Sequence, residues 1–448
     1  MKTLRWRTLL AALAAGLLLS GLPMRTQAKQ VRLNLDLGQQ VLEAGQPQKI
    51  FIKIGLEGIV PRERAERAPI NVSLVLDRSG SMQGAKLENA KQAAILALDY
   101  LNRDDILSLV TYDHTVNVPV PAAKLRDKAR VEAIIRGIES GGNTALFAGV
   151  SKGAAELRKF LDRNRINRIV LLSDGLANVG PSTPQELGRL GRELGGQGIT
   201  VTTIGLGLGY NEDLMLRLAD ASDGNHVFVE EPAQLAEVFR KEFGELGAVV
   251  AQGITITIEC GDGVRPLRVL GRDAKIYDNR VELSINQVSA QQEKYLILEV
   301  ETSPGAPESE RELAKVEVNY DDLASQSRDR VEGRALVRYS ASRQEVEQSV
   351  NKEVMVSATA QIGAEMDNQA LELKDKGDAE GAQAVFRDKA RYLNEQAQRY
   401  DSDLLRGQSE SATKAEAAAA APAASDEWNK ARKAVREEQN VIQKQRSY

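Results

Sequence analysis

The chain has 448 residues, 42% of them hydrophobic and 27% charged, with a formal net charge of −4. That length exceeds what one hydrophobic core usually serves, so two or three domains are expected. Aromatic residues make up only 4% of the chain, and with the acidic balance this argues against a nucleic-acid partner, which needs base-stacking platforms and cations along a phosphate backbone.

Residues 1–28 read as a signal peptide. Lys2, Arg5 and Arg7 precede an apolar run from Leu9 to Leu22, and Thr26 and Ala28 stand where a signal peptidase takes small side chains. The run is shorter than the roughly 20 residues a membrane-crossing helix needs, and no lipobox cysteine follows it. Cleavage after Ala28 removes four basic residues, Arg25 included, and no acid, which moves the net charge from −4 to −8. No later apolar stretch is long enough to span a bilayer, so the expected product is exported, periplasmic or extracellular, with no membrane span after cleavage. Cys260 is the only cysteine and excludes an intramolecular disulfide. Its setting, ITITIECGDG, is that of a structural thiol.

Period-two apolar runs open the mature chain: Val31, Leu33, Leu35 and Leu37, then Ile50, Ile52, Ile54 and Leu56. Such alternation marks half-buried strands, and two strands alone are marginal. The pattern returns at Ile254/Ile256/Ile258, Val281/Leu283/Ile285, Leu296/Leu298/Val300 and Ala314/Val316/Val318/Tyr320, with a further run at 335–339. Residues 29–68 and 246–342 are therefore expected to form one β-sandwich, split by residues 69–245. Within that middle segment, strand-like runs at 69–76, 106–112, 168–172 and 200–204 alternate with helical spacing at 87–101, 130–138, 146–161, 185–194, 212–219 and 233–243, and a short edge run lies at 116–120. The alternation predicts an α/β fold with a doubly wound, mostly parallel sheet. From about 343 the chain turns rich in Ala, Glu, Gln, Lys and Arg. Residues 343–406 predict a helical hairpin around Lys376, Gly377 and Asp378, loosely similar to one tetratricopeptide unit. Residues 407–425, with EAAAAAPAAS, read as a low-complexity linker, and 426–448 as a last charged helix with Trp428 exposed or docked, a solvated helix being the plainer reading and a partner-binding tail the lesser one.

Three short motifs carry the chemistry. Asp77, Ser79 and Ser81 lie in LVLDRSGSM, Thr144 in GGNTALFAG, and Asp174 in IVLLSDGLANVG. Each follows a strand-like run or sits in a glycine-rich loop, where an open α/β sheet presents ligands. Hydroxyls and carboxylates without His or Cys suit a hard divalent cation, which takes oxygen ligands and keeps several waters. Positions 77, 79 and 81, in a turn containing Gly80, can converge on one point.

These motifs resemble the von Willebrand factor type A family, whose metal-ion-dependent adhesion site reads D-x-S-x-S, then a Thr, then an Asp. The resemblance covers roughly residues 69–245 and extends through ITVTTIGLGLGYNEDLMLRLADASDGNHVFVE. It implies that Ser79, Ser81 and Thr144 bind the ion directly, that Asp77 and Asp174 bind it directly or through water, and that the final helix at 233–243 moves on binding. The ion implied is Mg²⁺, with Mn²⁺ or Ca²⁺ as alternatives.

Other chemistry finds little footing. His114 and His226 have neither a nucleophile nor a second metal-binding His at a useful offset. GLGLG at 205–209 lacks dinucleotide-fingerprint spacing and reads as the loop beside the metal site. Ser79 stands where a haloacid-dehalogenase-type phosphotransferase would need its second Asp. The acidic pairs Asp104/Asp105, Asp321/Asp322 and Glu230/Glu231 read as solvated surface. The expected function is thus non-enzymatic: a divalent-metal-dependent, adhesion-type protein-binding module of an exported envelope protein, in which an Asp or Glu of a protein partner completes the coordination. One alternative is an assembly protein in which the metal only stabilises the fold. A metal-assisted hydrolase ranks below both, because Asp77 and Asp174, the only bases in reach, are already committed to the ion.

Overall fold

The computed structural model describes residues 29–60 and 67–445. The signal-peptide expectation lies outside the described residues. Strands β1 (Val31–Leu37), β2 (Val41–Glu43) and β3 (Gln48–Gly58) lead into a continuous alternation: β4 (Ile70–Asp77), α1 (Ala85–Ala97), β5 (Ile106–Tyr112), β6 (Val116–Lys124), α2 (Lys128–Arg136), α3 (Leu146–Arg158), β7 (Ile166–Ser173), α4 (Pro184–Gly196), β8 (Ile199–Leu206), α5 (Glu212–Ala221), β9 (His226–Val229) and α6 (Leu235–Leu246). Strands β4 to β9 form one sheet in the order β6-β5-β4-β7-β8-β9. Every pairing is parallel except that of the edge strand β6 with β5.

Helices cover both faces, which explains why β4, β5, β7 and β8 are buried at every position and read as near-continuous apolar runs. One face packs Leu74, Leu76 and Val170 against Ala90, Ala94 and Phe239 of α1 and α6. The other packs Val75, Ile169 and Val201 against Val150, Leu187 and Leu218 of α3, α4 and α5. The central strands β4 and β7 therefore end in a rigid platform at Asp77 and Ser173.

The chain continues as β10 (Val249–Cys260), β11 (Val264–Leu270), β12 (Lys275–Tyr277), β13 (Arg280–Ser289), β14 (Glu293–Thr302), β15 (Glu310–Asp322) and β16 (Ser327–Ser340). Strands from both sides of the α/β segment join the same sheets. One runs β1-β3-β14-β11 and the other β12-β13-β10-β15-β16-β2. Leu296, Leu298 and Val300 of β14 pair with Ile54, Ile52 and Ile50 of β3, and these side chains share one apolar cluster with Ile256 and Ile258 of β10 and Val316 and Val318 of β15. Each sheet thus buries the apolar half of its alternation against the other.

The C-terminal part departs from the sequence reading in two places. Helices α7 (Arg343–Gln348), α8 (Lys352–Asp375) and α9 (Ala379–Tyr400) include the expected hairpin, with Gly377 in the left-handed region at its turn. The expected linker is instead mostly helix: α10 (Asp403–Ala419) begins at Ser402, whose Oγ accepts from the Leu405 N–H. Ala412, Ala415, Ala418 and Ala419 are buried. A run of alanines is low in complexity yet has the best helix propensity, and its small side chains let α10 lie close to α9. The second is α11 (Asp426–Lys444), where the plainer expectation of a solvated helix gives way to the docked placement left open for Trp428. Trp428 is 2% exposed and packs with Phe386 and Leu371, while Arg432 and Lys433 of this helix are buried in ion pairs with Glu212 of the α/β unit.

Candidate metal centre

The five residues singled out in the sequence meet at the carboxyl end of the central strands. Asp77 closes β4. Its Oδ1 accepts the Ser79 N–H at 2.8 Å and its Oδ2 accepts the Ser173 hydroxyl at 2.6 Å. Ser79 Oγ lies 3.1 Å from Ser81 Oγ, and Ser81 Oγ donates to Asp174 Oδ1 at 2.7 Å. Thr144 comes from the loop before α3. Its N–H donates to Asn178 Oδ1 at 2.9 Å, and its carbonyl accepts from the N–H groups of Asn178 and Val179 at 3.2 and 3.3 Å. A Cβ placed on Gly175 would lie 3.2 Å from Thr144 Oγ1 and 3.3 Å from Ser81 Oγ, so both hydroxyls crowd the same glycine.

Backbone lacing holds the loops in register. The Gly80 N–H donates to the Gly142 carbonyl at 3.0 Å, and the Gly141 N–H to the Arg78 carbonyl at 2.8 Å. Gly142 has φ +77° and abuts the His114 ring, leaving no room for a side chain. Arg78 pairs with Asp113 at 2.6 Å, and the Asp113 carbonyl accepts the Ala145 N–H at 2.8 Å. The loop at 205–209 borders the site, since a Cβ on Gly209 would lie 3.3 Å from the Asp174 carbonyl.

A sequence model of the von Willebrand factor type A domain matches residues 71–241. The chain carries a von Willebrand factor type A domain. An uncharacterized protein of Synechocystis sp. is 27% identical over 310 residues, covering 66% of this chain and 72% of that protein. Among solved structures, a von Willebrand factor type A protein from Catenulispora acidiphila aligns with a TM-score of 0.67 at 17% identity, over 86% of this chain and 92% of its own. The ArnB paralog VWA2 from Sulfolobus acidocaldarius aligns at 0.64 and 18% identity, over 92% and 98%. At these identities the likeness is one of fold, and its coverage reaches well past the residues of the type A domain. Domains of this type typically serve as protein-interaction modules.

The donor set of this type A domain suits a hard cation. Asp77, Ser79, Thr144 and Asp174 are at most 4% exposed, while Ser81 and Gly80 are exposed, so the group opens on one side. Burial pushes the Asp77 carboxyl up. Hydrogen bonds from Ser173 and Ser79 oppose that shift, and the charge of Asp174 adds to it. A bound cation would relieve both the desolvation and the mutual repulsion of the two carboxylates. Among the described residues no cluster of three or more His, Cys, Asp or Glu side chains could hold a metal. A cation at this face would be held by two carboxylates and three hydroxyls, a set that suits Mg²⁺, Mn²⁺ or Ca²⁺ and not zinc.

Several participants have no role that the motif pattern assigns, although Ser173, Gly175 and Asn178 stand in the same run as Asp174. Ser173 orients Asp77, Asn178 holds Thr144, Gly175 makes room for the two hydroxyls, and Lys86 Nζ contacts Asp174 Oδ2. Neither histidine joins the donors. His114 sits on the Gly142 loop, and His226 is buried between Thr203 Oγ1 at 2.9 Å and Tyr210 OH at 3.2 Å. Burial, then the charges of Lys433 and Arg436, lower its pKa to about 3. The reading of all acidic pairs as solvated needs correction. Asp105 is fully buried under Arg67 and accepts the Ile70 N–H, and Asp322 is 2% exposed and accepts from Ala324 and Ser325. Both brace turns.

Proposed function

We propose that this chain is a divalent-metal-dependent, non-enzymatic protein-binding module of an exported envelope protein. The observation that carries the reading is the meeting of five oxygen donors from three loops at the open end of the sheet, with one side exposed. Ser79, Ser81 and Thr144 would hold the cation, and Asp77 and Asp174 would hold it directly or through water. Bound there, the ion supplies an electrophilic position that an Asp or Glu of a protein partner can take. No imidazole or thiol lies among the donors, and Asp77 and Asp174 are already engaged by Ser173, Ser79, Ser81 and Lys86. This argues for binding and against hydrolysis. Export is supported by the basic and apolar character of residues 1–28 and is consistent with the described helices, none of which is long and apolar enough to cross a membrane.

The test is affinity capture of envelope proteins on the full chain, with Mg²⁺, with EDTA, and with Asp77→Ala. Capture should be lost with the chelator and with the variant. Partners retained in both would overturn the reading. If EDTA lowers the melting temperature yet binding survives, the metal serves only the fold.

A further inference from the structure

Lys86 breaks a local rule. It is the second residue of α1, whose N-cap Gly84 makes no side-chain cap hydrogen bond, and a cation in the first turn of a helix opposes the positive end of the helix dipole. The conflict alone marks nothing, since α2, α7 and α8 also open on Lys128, Arg343 and Lys352; what sets Lys86 apart is its partner. The side chain, 36% exposed, reaches across to the fully buried carboxylate of Asp174 and contacts Oδ2. The other oxygen, Oδ1, accepts from Ser81 Oγ at 2.7 Å. Arg78, the neighbouring cation, is paired with Asp113 at 2.6 Å. Lys86 is thus the ammonium applied to the donor set, and it reduces the set's formal charge from two negatives to one.

We propose that Lys86 is a positioning and charge-tuning residue of the metal centre: by neutralising Asp174 it weakens the hold on a divalent ion and leaves more of the ion's charge for an incoming carboxylate. The inference rests on the metal-dependent reading above. Two anions facing one dication would bind it tightly and cancel its charge, leaving little to attract a partner. With Lys86 in place the loaded site keeps a net positive charge and discriminates for anionic side chains. A unit charge on the far oxygen of one carboxylate acts over a few ångströms, which is worth about tenfold or more in divalent affinity even at the dielectric constant of water. A mere tether predicts the opposite sign, because releasing Asp174 from its restraint would loosen the site and weaken metal binding.

The experiment titrates the full chain with MnCl₂ by calorimetry, comparing wild type with Lys86→Gln, Lys86→Met and Lys86→Arg. Acetate is then titrated into the Mn²⁺-loaded proteins and followed by water-proton relaxation. The two neutral variants should bind Mn²⁺ at least about tenfold tighter and acetate several-fold more weakly, and Lys86→Arg should behave as wild type. Methionine covers the case in which glutamine forms its own hydrogen bond to Asp174. Unchanged or weaker Mn²⁺ binding in both neutral variants overturns the proposal and leaves the metal reading standing. A wild-type chain that binds no Mn²⁺ overturns the metal reading itself, a different result.

Discussion

Gly175→Ala tests the geometry of the metal centre with one carbon atom. The new Cβ would stand 3.2 Å from Thr144 Oγ1, 3.3 Å from Ser81 Oγ and 3.9 Å from Thr144 Cγ2. The first two contacts are closer than carbon and oxygen normally sit, so each hydroxyl must retreat by a few tenths of an ångström. Ser81 is exposed and can yield, and Gly175 does not have the positive φ that would strain an alanine. The fold should therefore lose no more than about 1 kcal/mol. Mg²⁺ demands near-octahedral ligands at about 2.0–2.1 Å, whereas Ca²⁺ accepts irregular shells at about 2.3–2.6 Å. Moving two of three hydroxyl donors by that difference should cost Mg²⁺ affinity about 10–100-fold, the range seen for disturbed ligand support, and should cost Ca²⁺ distinctly less. Calorimetric titration of the full chain with each chloride, beside a thermal melt, reads both effects. Mg²⁺ affinity within about threefold of wild type in a folded variant, or an equal loss for the two ions, would refute the crowding argument.

Three further outcomes are expected. Ser81→Ala removes an exposed donor and the hydrogen bond to Asp174, so Mg²⁺ affinity in the same titration should fall about tenfold while the melting temperature barely moves. Arg432 joins Glu212, Asp213 and Asp375 across the α11 interface; Arg432→Met leaves Lys433 and Arg436 in place and should cost about 3 kcal/mol in urea unfolding, and a loss below about 1 kcal/mol would show that the Arg432 ion pairs do not hold α11. The His226 pKa, lowered from 6.5 to about 3, gives stability that is full above pH 6.5 and is lost as pH falls toward 3. At pH 5 that loss is about 2 kcal/mol. Burial pushes the Asp367 carboxyl the other way, up to about 6, so its contribution is regained below pH 6 and offsets about 1.4 kcal/mol at pH 5. The measurement is therefore the difference between wild type and His226→Asn in urea unfolding at pH 7 and pH 5, and an equal pH response in both proteins would count against a buried neutral imidazole.

Much of the architecture is written in periodicity. Continuous apolar runs at β4, β5, β7 and β8 reflect strands covered by helices on both faces, and the strict alternation of Ile254, Ile256 and Ile258 reflects a strand with one face turned to its partner sheet. The helical end is harder to read for an identifiable reason. Composition alone does not separate a flexible alanine-rich linker from a helix packed through its alanines, and α10 is the second kind because Ala412 and Ala415 are buried and the helix packs along α9. Nor does a charged helix announce docking. The cations of α11 look solvated in sequence, yet Lys433 lies 4.2 Å over the Tyr210 ring and reaches Glu212 and the Tyr210 carbonyl. Their anions sit some 220 residues away, beyond any local window.

The donors of the candidate site are legible for the same physical reason that their supports are not. Asp77, Ser79 and Ser81 are spaced by one turn, so their convergence is a local geometric fact, and Thr144 and Asp174 are placed by the strand ends that periodicity already locates. Ser173, Asn178 and Lys86 act through partners 96, 34 and 88 residues distant. Their side chains are ordinary for their positions except Lys86, whose cation stands at the wrong end of a helix dipole. That conflict is local to the first turn of α1, and under the proposal for Lys86 it would separate a hydroxyl site merely able to hold a dication from one whose net charge attracts an acid.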